Sequence, residues 1–324
     1  MTEDIVKQCT DIGVYLFRIN LSHTPLEAVA PTIEKIHSWT DTPICLDSEG
    51  AQLRNQKMTS ESVAFKEGAD VRIHFDPVVG DANNISFSPD AIAHQFIVGD
   101  EIGIDFDHLL LRVTDTDTDG AMAIVVSSGT VGSNKASDIQ RDMDFDPLTH
   151  KDRAAIKTGL DLGIRNFALS FANTPEDVDA MRAACGPDAN IICKIESPSG
   201  LIHLDGIVER ADEILIDRGD LSRKVPIEKV PFLQRRIISF ARSRKTPVFV
   251  ATNLLESMVT KKSPTRAEVN DVVSTLLMGV DGLVLAAETA IGKFPVEAVT
   301  MIRNLIDESE MWTPDTSLAE IIGG

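Results

Sequence analysis

Polar side chains that could stabilise a negatively charged oxygen recur at regular intervals in the second half of the chain. Lys194 and Glu196 stand two residues apart in a run of apolar residues, so strand alternation would point both to one side. Counted from Lys194, the residues Asp220, Thr252 and Glu288 follow at steps of 26, 32 and 36 residues. Each step is about the length of one β-strand plus one helix. Glu196 and Asp220 could hold Mg²⁺ or Mn²⁺ against ligand oxygens, and an ammonium could neutralise a phosphoryl group or an enolate.

The elements that must position these side chains alternate along the chain. Segment 174–185 has a helical pattern, with Thr174 as N-cap and Pro175 at the first helical position, and segment 226–244 has another. Apolar runs alternating with amphipathic helices predict a parallel sheet covered by helices, with the polar strand ends on one face. Seven runs predict strands: VYLFRIN (14–20), PICLD (43–47), NFALSF (166–171), IICKIE (191–196), EILID (213–217), PVFVATN (247–253) and GLVLAA (282–287).

One stretch breaks this alternation. Between residues 55 and 143 no strong helical pattern occurs, and Gly, Asp and Asn turns separate short β-like runs. These runs are VRIHFDP, NISFS, HQFIV, EIGIDF, LLLRVTD and AMAIVVSS. The sequence therefore predicts an inserted all-β domain at 55–143 and a discontinuous α/β domain at 1–54 and 144–324.

Composition limits the possible partners. The 324 residues carry 31 basic and 50 acidic side chains, a formal charge of −19, with a pI near 4.7. Such a charge argues against nucleic acid and against an anionic membrane surface, and no stretch has the ~18 apolar residues of a membrane-spanning helix. The N-terminus does not fit a signal peptide, and the four cysteines form no CxxC pair. We expect a cytoplasmic protein with free thiols.

Several motifs, in order and at similar spacing, resemble those of the pyruvate kinase family. They are RINLSH (18–23), LDSEGAQLR (46–54), CKIESPSG (193–200), DRGDL (217–221), VATNLLESM (250–258), PTRAEVNDV (264–272) and AAETAIGKFPVEAV (286–299). The resemblance implies a TIM-type (β/α)₈ barrel with an inserted β lid domain. Compared with the family, we count seven barrel strands and find no counterpart of the C-terminal domain. An open barrel edge is costly, so we expect a terminus, a neighbouring segment or a second copy in a homo-oligomer to cover it.

The resemblance also assigns roles to individual positions around the reacting groups. Catalytic roles fall on Lys194 and on Thr252, the latter relaying a proton to the enolate carbon, and on two arginines near the phosphoryl group, Arg18 and Arg54. The implied Mg²⁺ or Mn²⁺ ligands are Glu196 and Asp220. Substrate carboxylate binding is assigned to the backbone at Gly219 and Asp220, beside Lys194 and Thr252.

Two further ligand sites follow from the same resemblance. The implied K⁺ ligands are Asn20, Ser22, Asp47 and Ser48, the last through its carbonyl group. The implied nucleotide-binding residues are His23, Arg54 and Lys135.

Some motif positions differ from the family. Glu49 and Gln52 replace a basic residue and a glutamate, and Ala286 and Ala287 replace the small residues before Glu288. Asp217 replaces a small apolar residue beside the metal site, and Asn173 stands where arginine is common. Most of these changes lower the positive charge near the phosphates, so we expect weaker nucleotide binding.

Three functions remain open at this stage. The first is Mg²⁺-dependent phosphoryl transfer from phosphoenolpyruvate to ADP, giving pyruvate and ATP. The second keeps only the metal and enolate chemistry, as in an aldolase, lyase or decarboxylase that acts on the pyruvate enolate. The third is a non-catalytic, kinase-like subunit, against which the complete Lys194, Glu196, Asp220 and Thr252 set argues.

Overall fold

The chain divides into two compact units. A computed structural model describes residues 1–50, 52–105, 109–139, 141 and 143–323. Met1–Gly50 and His150–Gly324 form one unit, called here the α/β unit, and Ala51–Thr149 form the other, called the β unit.

The first segment of the α/β unit contains two strands and two helices. The N-cap Thr2 accepts a hydrogen bond from the Ile5 amide, and the first helix stops at Gly13, whose φ of 96° suits glycine. The elements are α1 (Glu3–Ile12), β1 (Phe17–Asn20), α2 (Leu26–His37) and β2 (Ile44–Asp47).

The β unit consists of short strands around an apolar core that includes Ile73, Ile85, Phe87 and Ile102. Seven strands join in the order β11-β7-β8-β9-β5-β6-β3, and β10 pairs with β4. The elements are β3 (Arg54–Asn55), β4 (Val63–Phe65), β5 (Asp70–His74), β6 (Asn84–Ser88), α3 (Asp90–Ala93), β7 (Glu101–Ile104), β8 (Leu109–Thr116), β9 (Gly120–Ser127), β10 (Gly129–Val131) and β11 (Ser137–Ile139).

One predicted strand of this unit, HQFIV at 94–98, is wrong. The segment is a turn after α3, in which the Phe96 amide donates to the Ala93 carbonyl. Phe96 is buried and packs edge-on against Phe87, with ring centroids 5.8 Å apart, while Ile97 and Val98 are exposed. The apolar run is therefore explained by the one buried side chain of Phe96, because a turn can bury a single residue, whereas a strand would bury every second one.

The remaining chain of the α/β unit alternates strands and helices. Segment 226–244 is not one helix: a 3₁₀ turn at Ile227–Lys229 precedes α9, whose first turn accommodates Pro231. A second 3₁₀ turn covers Glu256–Val259. The other elements are α4 (His150–Asp161), β12 (Asn166–Leu169), α5 (Pro175–Cys185), β13 (Asn190–Ile195), α6 (Pro198–Ile202), α7 (Leu204–Arg210), β14 (Glu213–Asp217), α8 (Arg218–Lys224), α9 (Val230–Ser243), β15 (Val248–Ala251), α10 (Arg266–Leu277), β16 (Gly282–Val284), α11 (Ala287–Ala290), α12 (Pro295–Met311) and α13 (Leu318–Gly323).

The seven strands of the α/β unit form one parallel sheet in the order β1-β2-β12-β13-β14-β15-β16. In the described residues β1 and β16 are edge strands, so the seven-stranded, open-edged sheet expected from the sequence is confirmed. One face carries a layer of apolar side chains from five successive strands. They are Cys45, Ala168, Ile192, Leu215 and Ala251. Lys194 lies two residues beyond Ile192 on the same strand, and therefore above this layer.

The helix cap predicted at Thr174 is present in the structure. Thr174 caps α5 through the Asp177 amide, with Pro175 in the first turn. A second capping box joins Thr265 and Glu268 at the start of α10. None of the helices that the structure describes is both long and apolar enough to cross a bilayer.

Glu268 also ties α10 to the turn before it. Its carboxylate accepts hydrogen bonds from the Ser257 amide at 2.7 Å and from the Ser257 hydroxyl at 2.6 Å. Partial burial raises the pKa of Glu268, but the hydrogen bonds from Ser257 and Thr265 outweigh it and lower the pKa to about 2. The ionised form is therefore the one that the folded chain stabilises.

We expect Glu268→Gln to lower the free energy of unfolding at pH 7 by about 1 kcal/mol, the size of a lost helix cap. Because the pKa in the folded chain lies below its ordinary value of 4.5, the contribution is complete above that value and is lost as the pH falls towards 2. Urea unfolding should show the wild-type and variant midpoints converging as the pH falls from about 4.5 towards 2. The exposed Glu34→Gln on α2 is the control, and an equal shift in that variant would contradict the assignment.

Candidate active site

Lys194 is a buried ammonium surrounded by carboxylates. It lies on β13, is 5% exposed, and its Nζ is 2.9 Å from Glu196 Oε1, 3.4 Å from Asp47 Oδ1 and 3.9 Å from Asp217 Oδ2. Burial opposes its charge, but Asp47, Glu196 and Asp217 outweigh that effect and raise the pKa of Lys194 above its ordinary value. The side chain is therefore a cation at neutral pH.

Ser170 links this lysine to the neighbouring strand end. Lys194 Nζ donates to Ser170 Oγ at 3.0 Å, and that hydroxyl donates to the Ser48 carbonyl at 2.7 Å. The Ser170 amide donates in turn to Ser48 Oγ at 2.9 Å. Ser170 lies near the end of the predicted strand 166–171, but no motif gave it a role in the site.

Glu196 contains the clearest unsatisfied atom of the site. The residue is fully buried, and its Oε2 accepts a hydrogen bond from the Phe171 amide at 2.7 Å. Its Oε1 is ion-paired with Lys194 Nζ at 2.9 Å, and no other described group donates a hydrogen bond to it. Burial raises the pKa of Glu196 to about 7, assisted by the charges of Asp217 and Asp220 and opposed by Lys194.

Three carboxylates meet beside this oxygen. Glu196, Asp217 and Asp220 each offer an oxygen, and these atoms lie within 4.8 Å of one another. Asp220 lies in α8, 3.2 Å from the guanidinium of Arg223. Carboxylate oxygens are the ligands that Mg²⁺ and Mn²⁺ prefer, and a buried oxygen without a hydrogen bond is the atom that a cation would satisfy. The donor set therefore fits the divalent ion implied by the sequence.

Thr252 is held in a strained backbone conformation next to these carboxylates. Its φ is 77°, which is costly for a β-branched residue, by about 1–3 kcal/mol. The Arg218 guanidinium fixes the peptide by donating twice to the Thr252 carbonyl, at 2.7 and 3.1 Å, and it also pairs with Asp271. The strain brings Thr252 Oγ1 to 2.7 Å from Asp217 Oδ1, to which it donates.

Gly219 must remain without a side chain here. A Cβ at this position would lie 2.8 Å from Thr252 Cγ2. Its amide, which the resemblance assigned to a substrate carboxylate, donates to Asp217 Oδ1 at 3.1 Å. Burial raises the pKa of Asp217, but Lys194 and the Thr252 hydroxyl outweigh it and hold that pKa below its ordinary value. Asp217 is thus an ionised acceptor beside the substrate-binding positions.

The four residues expected to bind K⁺ lie at the ends of two paired strands. Asn20 and Asp47 are opposite each other in the β1–β2 register, and Ser22 and Ser48 follow them. Arg18 donates to Asp47 Oδ2 at 2.9 Å, and the Ser22 amide donates to Asn20 Oδ1 at 2.9 Å. Protein donors thus already reach the principal oxygens, unlike Glu196 Oε1, so the geometry supports the divalent site more strongly than the K⁺ site.

The predicted nucleotide-binding residues are distributed between the two units. His23 is exposed in the turn after β1. Arg54 and Lys135 belong to the β unit, where Arg54 Nη1 donates to the Asn134 carbonyl at 3.0 Å and Lys135 pairs with Asp105 at 3.0 Å. Glu288, another polar strand-end residue, accepts from the Leu255 and Ala286 amides, a structural use of its carboxylate.

Comparison with known proteins identifies the family of the chain. A family model described as pyruvate kinase, barrel domain, matches residues 1–299. A pyruvate kinase of Methylorubrum extorquens is 33% identical over 95% of this chain and 66% of its own length, and one of Thermotoga maritima is 32% identical over 95% and 68%. A third, of Bacillus licheniformis, is 32% identical over 94% of this chain and 54% of its own length.

Comparison with solved structures gives the same family as the sequence comparison. A crystal structure of a pyruvate kinase from Cryptosporidium parvum superposes with a TM-score of 0.84 and 28% identity, over 97% of this chain and 67% of that one. The chain thus spans roughly two thirds or less of the length of these relatives. From the motifs, the seven-stranded sheet with its inserted β unit and these matches, we conclude that the chain belongs to the pyruvate kinase family.

Proposed function

We propose that this protein transfers a phosphoryl group from phosphoenolpyruvate to ADP, giving pyruvate and ATP, with Mg²⁺ or Mn²⁺ bound at Glu196 and Asp220. The observation that carries the proposal is the buried Lys194 ammonium, 2.9 Å from a Glu196 oxygen that accepts no hydrogen bond. A fixed cation beside a carboxylate oxygen that can bind a divalent ion supports this reaction, because phosphoryl transfer is catalysed mainly by positioning and by positive charge.

Lys194 supplies positive charge where negative charge develops. The transferring phosphoryl group and the enolate oxygen left behind are both anionic, and a fixed ammonium stabilises them without reorganising solvent. Its burial makes each such interaction stronger than it would be in water. The Arg18 guanidinium, 2.9 Å from Asp47, adds a second cation at the neighbouring strand end.

Glu196 and Asp220 would hold the divalent ion, with one oxygen of Glu196 already fixed by the Phe171 amide. The bound ion would supply charge neutralisation and orient carboxylate and phosphate oxygens of the substrate. K⁺ is a second, weaker expectation at Asn20, Ser22, Asp47 and Ser48, because protein groups already donate hydrogen bonds to oxygens of Asn20, Asp47 and Ser48.

Thr252 would hold the proton that converts the enolate into pyruvate. Its hydroxyl is oriented by the acceptor Asp217, and its strained peptide is fixed by Arg218. Positioning of this kind shortens the search for the reactive geometry, which is a recognised source of rate acceleration. Asp217 has no counterpart in the motif that the resemblance supplied, so this orientation is a property of this chain.

A second candidate is metal-dependent enolate chemistry without nucleotide. Lys194, Glu196, Asp220 and Thr252 all belong to the α/β unit, whereas Arg54 and Lys135 of the β unit are engaged with Asn134 and Asp105. The acidic substitution at residue 49 supports the same alternative. Glu49 pairs with Lys151 at 2.7 Å and so neutralises a positive charge that could otherwise bind a phosphate group. Nucleotide use is therefore the feature that experiment must establish first.

We also propose a cytoplasmic location and small-molecule partners only. All four cysteines are free and buried, as is usual in a reducing compartment. The net charge of −19 disfavours nucleic acid and anionic membranes. The edge strands β1 and β16 give a second copy of the chain a surface to cover, which supports a homo-oligomer.

Lys194→Met should reduce ATP formation from phosphoenolpyruvate and ADP by at least about 10²-fold, because it removes the fixed charge. A coupled assay with Mg²⁺ and K⁺ measures this rate, and circular dichroism verifies the fold. The matched control is Lys157→Met, an exposed lysine paired with Asp161, which should retain full activity. Undiminished turnover in the folded Lys194→Met variant would remove the lysine from the mechanism.

Mn²⁺ binding should weaken as the pH falls from 8 to 6. The pKa of Glu196 is about 7 without metal, so below that pH the ion must displace a proton, at a cost approaching tenfold in affinity for each pH unit. Calorimetric titration in buffers of different ionisation enthalpy would show both the slope and the released proton. A flat affinity profile across this range would contradict a role for Glu196 as ligand.

Arg54→Ala separates the two candidate functions. If nucleotide is used, loss of this guanidinium should slow ATP formation by at least about tenfold, while metal-dependent deuterium exchange at the methyl group of pyruvate continues unchanged. Methyl exchange in the wild-type protein without any ATP formation would instead select the enolate enzyme. Absence of both reactions in a folded, metal-loaded protein would reject the proposed activity.

A further inference from the structure

The two carboxylate oxygens of Asp217 have different environments. The residue ends the apolar strand β14 and is 8% exposed. Its Oδ1 accepts hydrogen bonds from the Thr252 hydroxyl at 2.7 Å and from the Gly219 amide at 3.1 Å. These two donors fix the carboxylate in one orientation.

The second oxygen has a different environment. Asp217 Oδ2 lies 3.9 Å from Lys194 Nζ, beyond hydrogen-bond distance, and none of the described residues donates a hydrogen bond to it. Glu196 Oε1 on the adjacent strand end is likewise without a hydrogen bond and is fully buried. Two neighbouring strand ends thus each carry a carboxylate oxygen that accepts no hydrogen bond from the described residues, and both residues belong to the same cluster as Asp220.

The charges of the cluster favour a cation. Glu196, Asp217 and Asp220 place three carboxyl groups together, with ligand oxygens within 4.8 Å of one another, and Lys194 is a buried cation beside them. Arg18 pairs with Asp47 and also acts on Asp217 and Glu196 through its charge, and Arg223 pairs with Asp220. Like charges this close repel strongly in a buried site unless a cation lies between them.

We infer that Asp217 is a third carboxylate ligand of the divalent-ion site, binding through Oδ2 while Oδ1 remains hydrogen-bonded to Thr252 and Gly219. This inference rests on the proposed divalent site at Glu196 and Asp220. The motif resemblance places a small apolar residue at this position, so the third ligand distinguishes this chain from the pattern it otherwise follows. Three protein carboxylates bind the ion in the absence of any anionic substrate and leave fewer sites for water.

Mn²⁺ titration without substrate, followed by the electron paramagnetic resonance signal of the free ion, tests the inference. The variant Asp217→Asn keeps an oxygen that can accept from Thr252 and Gly219 but removes the charge, and Asp217→Ala removes both. We expect both variants to weaken Mn²⁺ binding alike, by about tenfold or more. Broadening by ¹⁷O-water should also count one more water on the bound ion in Asp217→Asn.

Two controls make the result specific. Glu196→Gln should weaken Mn²⁺ binding at least as much, because it removes a ligand of the underlying site. Asp161→Asn removes an equal charge from an exposed pair on α4 and should leave the affinity unchanged. Thermal unfolding of each variant verifies that the compared chains are folded.

The outcomes separate this inference from the proposed function. Wild-type affinity in Asp217→Asn, with weakened binding in Asp217→Ala, would show that Asp217 only positions its neighbours and would overturn the inference. Unchanged binding in both Asp217 variants, with loss in Glu196→Gln, would also overturn it while leaving the proposed site intact. Failure of the wild-type protein to bind Mn²⁺ at all would overturn both.

Discussion

The burial of one ammonium group organises the site. The charges of Asp47, Glu196 and Asp217 keep Lys194 protonated despite its burial, and the charge of Lys194 in turn favours the ionised forms of Glu196 and Asp217. Because the four groups come from the ends of three strands, β2, β13 and β14, their mutual stabilisation depends on the parallel register of the sheet. The apolar layer below them excludes water and thereby strengthens every one of these interactions.

Two parts of this network remain energetically unfavourable in the folded protein. Glu196 retains an oxygen without a hydrogen bond, and Thr252 retains a strained φ that Arg218 has to hold. Local costs of this kind persist where the surrounding fold over-determines them, and they are concentrated here at the carboxyl ends of the strands. The same edge carries the motifs by which the sequence resembles pyruvate kinases, and it is where we propose that the chemistry occurs.

Prediction from sequence succeeded where a pattern has one structural solution. The seven apolar runs became the seven strands of the parallel sheet, and Thr174 became a helix cap, because strand burial and capping depend on nearby residues. It failed for HQFIV, where Phe96 is anchored by Phe87 rather than by a sheet. It also gave no role to Ser170, whose hydrogen bonds to Lys194 and Ser48 join residues far apart in the chain.

The amino-acid sequence by itself determined the order of strands and helices, the polar residues at the strand ends and the family to which they belong. Only the tertiary structure decided which oxygens of those residues are used by the protein and which are left for a ligand. Asp47 and Asp217 are both acids at strand ends, yet Asp47 is engaged by Arg18 while one oxygen of Asp217 is not. That difference depends on distances of a few tenths of an ångström between separate strands, and hydrogen bonds are too short-ranged for residue type and spacing to specify them.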